Sequence, residues 1–299
     1  MGLAERRVRQ LVAVAGTRGA GVDLNHLVDL LPPEAPATVA DLADWIRAQP
    51  ELGQVVGARV FAPGASAPGG PGDPARRDAY LNAAELLVRS RLSPIVPQLH
   101  CLLVTGSAAF GEPSEGDDCD LFGVVRDGAL WVALTWSFLA LRIRGPVRTP
   151  GAPSVWCFNY VLEAGEARAE FAGSRGFLFA REALTAVPLL GEEYYRSLLA
   201  TAPWLRAEAP RLFERRTGAE TGPPKAGRTS WAIRLLNLLL YPPVAAYLQA
   251  VGLVRNHRLA RSGRSGERFR TITGRRRLAL RSEKFDRLAE YYRGTSAVG

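Results

Sequence analysis

The chain has 299 residues, 47% of them hydrophobic and 22% charged, with a formal net charge of +9. That length buries at least one full core and leaves room for two domains, and the balance of residue types is that of a soluble globular protein. Three scattered cysteines (Cys101, Cys119, Cys157), none in a Cys-x-x-Cys pair, and three scattered histidines argue against a zinc site. The cysteines lie in apolar runs, as small buried hydrophobes do. The charged opening Met1 to Gln10 argues against a secretory signal, so a reduced, cytoplasmic protein is expected.

The charge is uneven. From Lys225 onward there are 16 Lys and Arg against four acids, Glu267, Glu283, Asp286 and Glu290. Such an asymmetry fits an anionic partner (nucleic acid, nucleotide phosphates or a membrane surface), although Arg-rich composition is common in chains heavy in Ala, Gly and Pro.

In chain order, residues 1–61 outline a winged-helix-like unit. Glu5 to Val14 has helical spacing, Asp23 can cap a second helix, and Thr38 a third over Val39 to Ala48; Val55 to Phe61 alternates like a strand. The third helix carries Asp41 and Asp44 against Arg47, whereas a helix facing phosphate should be basic. A structural or partner-docking role is expected for this unit. Residues 62–74, rich in Pro and Gly, read as a linker.

Residues 75–190 form the expected core. A helix from Ala75 to Arg91 leads to a short buried strand, His100 to Thr105, ended by Gly106-Ser107. Cys119 to Val125 is a second strand, Leu130 to Arg144 an apolar helix and Val155 to Leu162 a third strand, with helices over Phe177 to Val187 and Glu192 to Ala207. The fold class is α/β (α+β), a small mixed sheet flanked by helices with its chemistry at strand ends. Residues 191–299 read as a helical, basic C-terminal region. Within it Trp231 to Val254 is apolar for its length, but Pro242-Pro243 divides the run into halves too short for a bilayer, which takes roughly 20 apolar residues. No transmembrane span is expected, and Ser282 to Arg293 is expected to be a closing helix.

The stretch Thr105-Gly-Ser-Ala-Ala-Phe-Gly111 followed by Asp118-Cys-Asp-Leu-Phe122 has a chemical logic. A strand ending in Gly-Ser lets backbone approach a triphosphate, and the Ser107 hydroxyl and following amides can bind phosphate oxygens. Asp118 and Asp120 share a face because strand side chains alternate, while Cys119 and Leu121 face the core. By the same alternation Asp117 should face away. Paired carboxylates suit Mg²⁺ or Mn²⁺, which prefer oxygen ligands and keep phosphate in their shell.

Gly-Ser, ten residues, then Asp-hydrophobic-Asp-hydrophobic resembles the signature of the DNA polymerase β-like nucleotidyltransferase superfamily. Gly106-Ser-Ala-Ala-Phe-Gly111 looks like the form found in its small, minimal members. Val155-Trp-Cys-Phe-Asn159-Tyr-Val-Leu resembles the Cys-x-Asn-Tyr strand of a bacterial and archaeal group of nucleotidyltransferase-domain proteins. The likeness covers roughly residues 98 to 165. It implies a nucleotidyltransferase core in which Gly106 and Ser107 bind a nucleoside triphosphate and Asp118 and Asp120 ligate metal. Its members usually carry a third carboxylate on the later strand; here the best-aligned polar residue is Asn159, which can ligate or orient but cannot act as a base. Glu163 or Glu166 could serve if the strand is offset. Three functions are open on this reading: an enzyme moving an NMP from an NTP to a hydroxyl acceptor (tRNA or another RNA end, a small molecule or a protein), a degenerate nucleotide-binding regulator on nucleic acid, or a peripheral membrane protein using Trp231 to Val254.

Overall fold

The computed structural model describes residues 2–17, 19–65, 74–111, 113, 116–218, 227, 229–262 and 268–294. Most of the expected linker (66–73) and the loop acids Glu112 and Glu115 lie outside the described residues. Helices α1 (Leu3–Gly16), α2 (Leu24–Leu30) and α3 (Val39–Arg47) open the chain. Both expected N-caps form: Asn25 N donates to Asp23 Oδ1 at 2.8 Å and Asp41 N to Thr38 Oγ1 at 3.1 Å. The stretch expected as one strand is instead a hairpin, β2 (Gln54–Val56) and β3 (Arg59–Phe61). The chain reverses at Gly57, whose φ of +58° suits glycine and few other residues. A short β1 (Val22–Asp23) joins β3, giving an antiparallel sheet in the order β1-β3-β2.

This unit is welded to the body of the molecule. Val8, Leu11, Leu27, Leu42 and Ile46 belong to the same buried cluster as Leu178, Leu198 and Leu212. Arg211 adds a polar clasp, donating to the carbonyls of Val28, Pro33, Ala35 and Pro36 at 2.5–3.1 Å.

The main body begins with α4 (Pro74–Leu87), which runs through a wider π turn and a 3-10 segment into β4 (Leu99–Thr105). Then come α5 (Gly106–Phe110), β5 (Cys119–Val125), α6 (Leu130–Arg144), β6 (Trp156–Glu163), α7 (Ala164–Ala172), α8 (Phe177–Thr185) and β7 (Val187–Leu190). Helices α9 (Glu192–Ala200), α10 (Trp204–Glu208) and α11 (Pro210–Thr217) precede the long α12 (Trp231–Arg261), the strands β8 (Phe269–Gly274) and β9 (Arg277–Ser282), and α13 (Glu283–Arg293). The mixed six-stranded sheet has the order β7-β4-β5-β6-β9-β8, parallel only between β5 and β6. Alternation along β5 buries Cys119 and Leu121 on the face covered by α4 and α6, and Phe122 and Val124 on the face shared with α7, α8 and α9.

Two expectations for the C-terminal region are corrected. It is not purely helical: β8 and β9 complete the main sheet, β9 pairing with β6 (Val161 opposite Leu278). Their alternation (Phe-Arg-Thr-Ile-Thr, Arg-Leu-Ala-Leu-Arg) is that of strands, but its outward positions are arginines, which read first as a basic tail. Nor does Pro242-Pro243 split the apolar run, because α12 is continuous through both prolines. The missing amides free only the carbonyls of Leu238 and Leu239, both on the exposed side, and proline's φ suits a helix. Packing holds the helix on either side of the break. Asn237 Oδ1 accepts from Trp131 N at 2.6 Å, Tyr241 lies against the Trp131 ring, and Ala245 is buried.

Trp131 is the anchor of this junction: fully buried, with its indole N–H donating to Arg275 O at 3.1 Å. Trp131→Ala is expected to cost about 3–5 kcal/mol in urea unfolding; a loss under about 1 kcal/mol would show that α12 docks independently of it.

Candidate active site

The site forms where β4 ends and β5 begins. Thr105 pairs with Asp120 across the two strands, and the chain then turns at Gly106 with φ +69°. A Cβ on Gly106 would fall 2.6 Å from Asp120 Oδ2, so the glycine is required twice, by its backbone angle and by the carboxylate lying against it. Ser107 Oγ donates to Asp117 Oδ2 at 3.1 Å. Arg77 secures the other end of α5, donating to Ala108 O and Ala109 O, and Tyr80 OH donates to Asp117 O at 2.9 Å.

Asp118, Asp120 and Cys157 converge, each offering one ligand atom within 4.8 Å of the others. The register explains the third member: β5 and β6 pair Asp120 with Cys157, and Leu121 with Phe158. A bulge then inserts Asn159, so that Phe122 pairs with Tyr160. Cys157, not Asn159, is therefore beside Asp120, a correction to the alignment drawn from sequence. Glu163 lies at the opposite end of β6, level with Val125 and held by Arg276 at 3.2 Å. Glu166 is in α7, paired with Arg277 at 3.7 Å. Neither supplies the missing carboxylate.

Two further acids join from outside the motif. Asp117, two residues before β5, adds its charge to those acting on Asp120, and its Oδ2 accepts from Ser107. Glu182, on α8, accepts from the Gly106 amide at 3.1 Å through Oε2 and from Arg181 Nη2 at 2.5 Å through Oε1. Arg181 is buried between the rings of Phe110 and Tyr292, and donates to the Tyr292 hydroxyl at 3.1 Å. The C-terminal helix thus fixes the arginine that orients Glu182. No local pattern in Ala180-Arg-Glu-Ala183 announces this role; it arises because α8 crosses the end of β4. Cys157 did carry a signal, since it precedes Asn159 by two residues and shares its parity on a regular strand.

Burial pushes the Asp120 carboxyl up to about 8, and the charges of Asp118, Glu182 and Asp117 add to that rise. The Cys157 thiol opposes it by donating a hydrogen bond to Asp120. Burial and the charges of Asp120 and Asp118 push that thiol above its ordinary range, so it is a neutral donor at pH 7. Arginine and lysine are absent from the main charges acting on Asp120. A largely buried Asp120 without a compensating cation fits a divalent metal, and with Asp118 beside it the pair would suit a hard ion such as Mg²⁺ or Mn²⁺. A protonated thiol does not suit such an ion as a ligand.

Near the far end of α5 a cavity of about 310 Å³ is lined by Arg77, Ala109, Arg196, Arg215, Arg216 and His26, among others. Arg216 donates to Leu184 O and Ala186 O, and Arg215 pairs with Asp29. The cavity wall is nonetheless cationic, and the sequence had not singled it out. No family model, curated protein or solved structure matches the chain.

The raised Asp120 carries a pH prediction. Its folded value lies above the ordinary 3.8, so its ionisation costs stability progressively as pH rises from about 4 towards 8. Asp120→Asn removes that cost. Without divalent cations the variant should melt above the wild type at pH 8 and level with it at pH 4, each unit being worth about 1.4 kcal/mol. Parallel melting curves across that range would show that Asp120 is not strained.

Proposed function

We propose that the chain is a metal-dependent nucleotidyltransferase, moving an NMP from an NTP to a hydroxyl acceptor with release of pyrophosphate. The observation that carries this reading is Asp120, largely withdrawn from water with no arginine or lysine among the main charges acting on it, lying against Gly106 and converging with the half-buried Asp118. Asp118 and Asp120 would hold Mg²⁺ or Mn²⁺, which offsets phosphate charge and aligns the reacting oxygens. The acceptor oxygen bonds to the α-phosphorus, the bond to the β-phosphate oxygen breaks, and pyrophosphate leaves with its electron pair. Ser107 and the Gly106 amide would hold the outer phosphates once the Asp117 and Glu182 carboxylates give way. Glu182 is then the further carboxylate available to take the acceptor's proton, since β6 offers only Cys157 and Asn159.

Because the cationic cavity shares α5 with the phosphate turn, a phosphate-rich acceptor such as an RNA end fits best. The N-terminal unit fits a winged-helix-like docking module and not a DNA reader: Arg47, the one cation of α3, is spent on Asp44 at 2.7 Å. A triphosphate substrate and free thiols suit a cytoplasmic setting.

A second reading, a catalytically degenerate nucleotide-binding regulator, is favoured by one feature. Cys157 stands beside Asp120 where a carboxylate would complete the metal platform.

Purified protein incubated with each α-³²P-NTP, Mg²⁺ or Mn²⁺ and total RNA plus lysate separates the two. The enzyme is expected to label an acceptor, and Asp118→Asn or Asp120→Asn to lower the rate by at least about a hundredfold. Nucleotide binding without transfer by the wild type, with label gained in Cys157→Asp, would establish the regulator.

A further inference from the structure

The most unusual surface runs along α12, whose Arg255 comes near enough to the site for its charge to act on Cys157. Helix α12, about 46 Å long at 1.5 Å per residue, is apolar around most of its circumference, yet only a narrow stripe (Asn237, Tyr241, Ala245, Leu248, Gly252) turns inward. Trp231 is 78% exposed, Leu253 71%, Leu239 65% and Tyr247 62%, with Leu235, Leu238 and Val254 open beside them. On α6, which packs against α12, Trp136, Leu139 and Ile143 form a second open stripe at helical spacing, Ile143 being 72% exposed. Soluble monomers seldom leave so much apolar surface uncovered.

Charge identifies the occupant. Neither α6 nor α12 contains an acid, and cations mark their ends: Arg142 and Arg144 on α6, Arg234, Arg255, Arg258 and Arg261 on α12. A second copy is disfavoured, because parallel or antiparallel pairing of α12 brings arginine to arginine with no carboxylate between them. Nucleic acid would leave the leucines, valines and tryptophans without an apolar partner. Towards the C-terminal end of α12, Tyr247, Val251 and Val254 lie beside Arg255 and Arg258. Apolar side chains next to guanidinium groups match acyl chain and phosphate headgroup.

We propose that the open face of α12 and α6 docks on an anionic phospholipid surface, with α12 lying in the membrane plane. Crossing the bilayer is opposed by the helix's attachments along its length. Asn237 holds the Trp131 amide, Gln249 Nε2 donates to Thr273 Oγ1 at 2.8 Å, and Asn256 bonds both the amide and the carbonyl of Phe269. No free run of roughly 20 residues remains to span hydrocarbon. The carbonyls of Leu238 and Leu239, left without amides by Pro242 and Pro243, need donors that the headgroup region supplies and the bilayer core does not. Trp231 and Tyr247 are the residue types that settle at that depth.

The test is flotation of the purified full chain with phosphatidylcholine vesicles and with vesicles containing about a third phosphatidylglycerol. The chain is expected to float with the anionic vesicles only, and less so as salt is raised. Leu239→Glu with Leu253→Glu, both at exposed positions, should abolish flotation while circular dichroism and melting temperature stay at wild-type values. Arg258→Glu with Arg261→Glu, which leaves the apolar face intact, should weaken partitioning roughly thirtyfold or more at about 1 kcal/mol per charge. Absence of flotation on either vesicle would overturn the proposal. So would a dimer in light scattering that Leu239→Glu returns to monomer, which would make a second copy the occupant.

Discussion

Four carboxylates act on one another at the end of β4 and β5, and Asp120 among them is buried. Like charges withdrawn from water repel strongly unless protonated, hydrogen-bonded or met by a cation. Much of the surrounding architecture can be understood as the frame that holds them there regardless. The sheet pairs Thr105 with Asp120, the positive φ of Gly106 brings backbone onto the carboxylate, and the Cys157 thiol donates to it. Arg181, anchored by Tyr292 of the last helix, keeps Glu182 at the Gly106 amide. Elements from the middle of the chain and from its last helix are thus committed to one cluster of negative charge.

The legible parts of this frame were those fixed by local chemistry. Caps at Asp23 and Thr38, the helix Leu130–Arg144, the closing helix after Ser282 and the shared face of Asp118 and Asp120 follow from spacing and side-chain type. What local chemistry could not disclose were features set by register and by distant crossings. The bulge that puts Cys157 beside Asp120 depends on how β6 slides past β5. Glu182 reaches the site because of where α8 crosses, and the strands β8 and β9 are disguised by arginines at their outward positions. Pro242-Pro243 misled for a different reason, because packing on both sides outweighed a local break.

The two surfaces the molecule offers are opposite in character. One is a small, half-buried cluster of acids; the other is a broad, open, apolar face edged with cations. They are joined through α6 and β5, which meet at the Asp127–Gly128 turn. There Arg276 of the β8–β9 turn binds Asp127 at 2.7 Å and Glu163 at 3.2 Å. A rigid link of this kind sets how the carboxylate end of the sheet faces relative to whatever α12 rests upon.

The placement of β9 also has a consequence for the order in which the molecule is made. β6 lies between β5, some forty residues earlier, and β9, more than a hundred residues later. While the chain emerges, the β9-facing side of β6 presents unpaired amides and carbonyls until residues near 280 arrive. An open strand edge is a template for pairing with neighbouring chains. Long-range pairing of this kind is slow to form as well. Newly made copies on one message therefore carry that open edge until late in synthesis, and a chain that stopped between β6 and β9 would keep it bare.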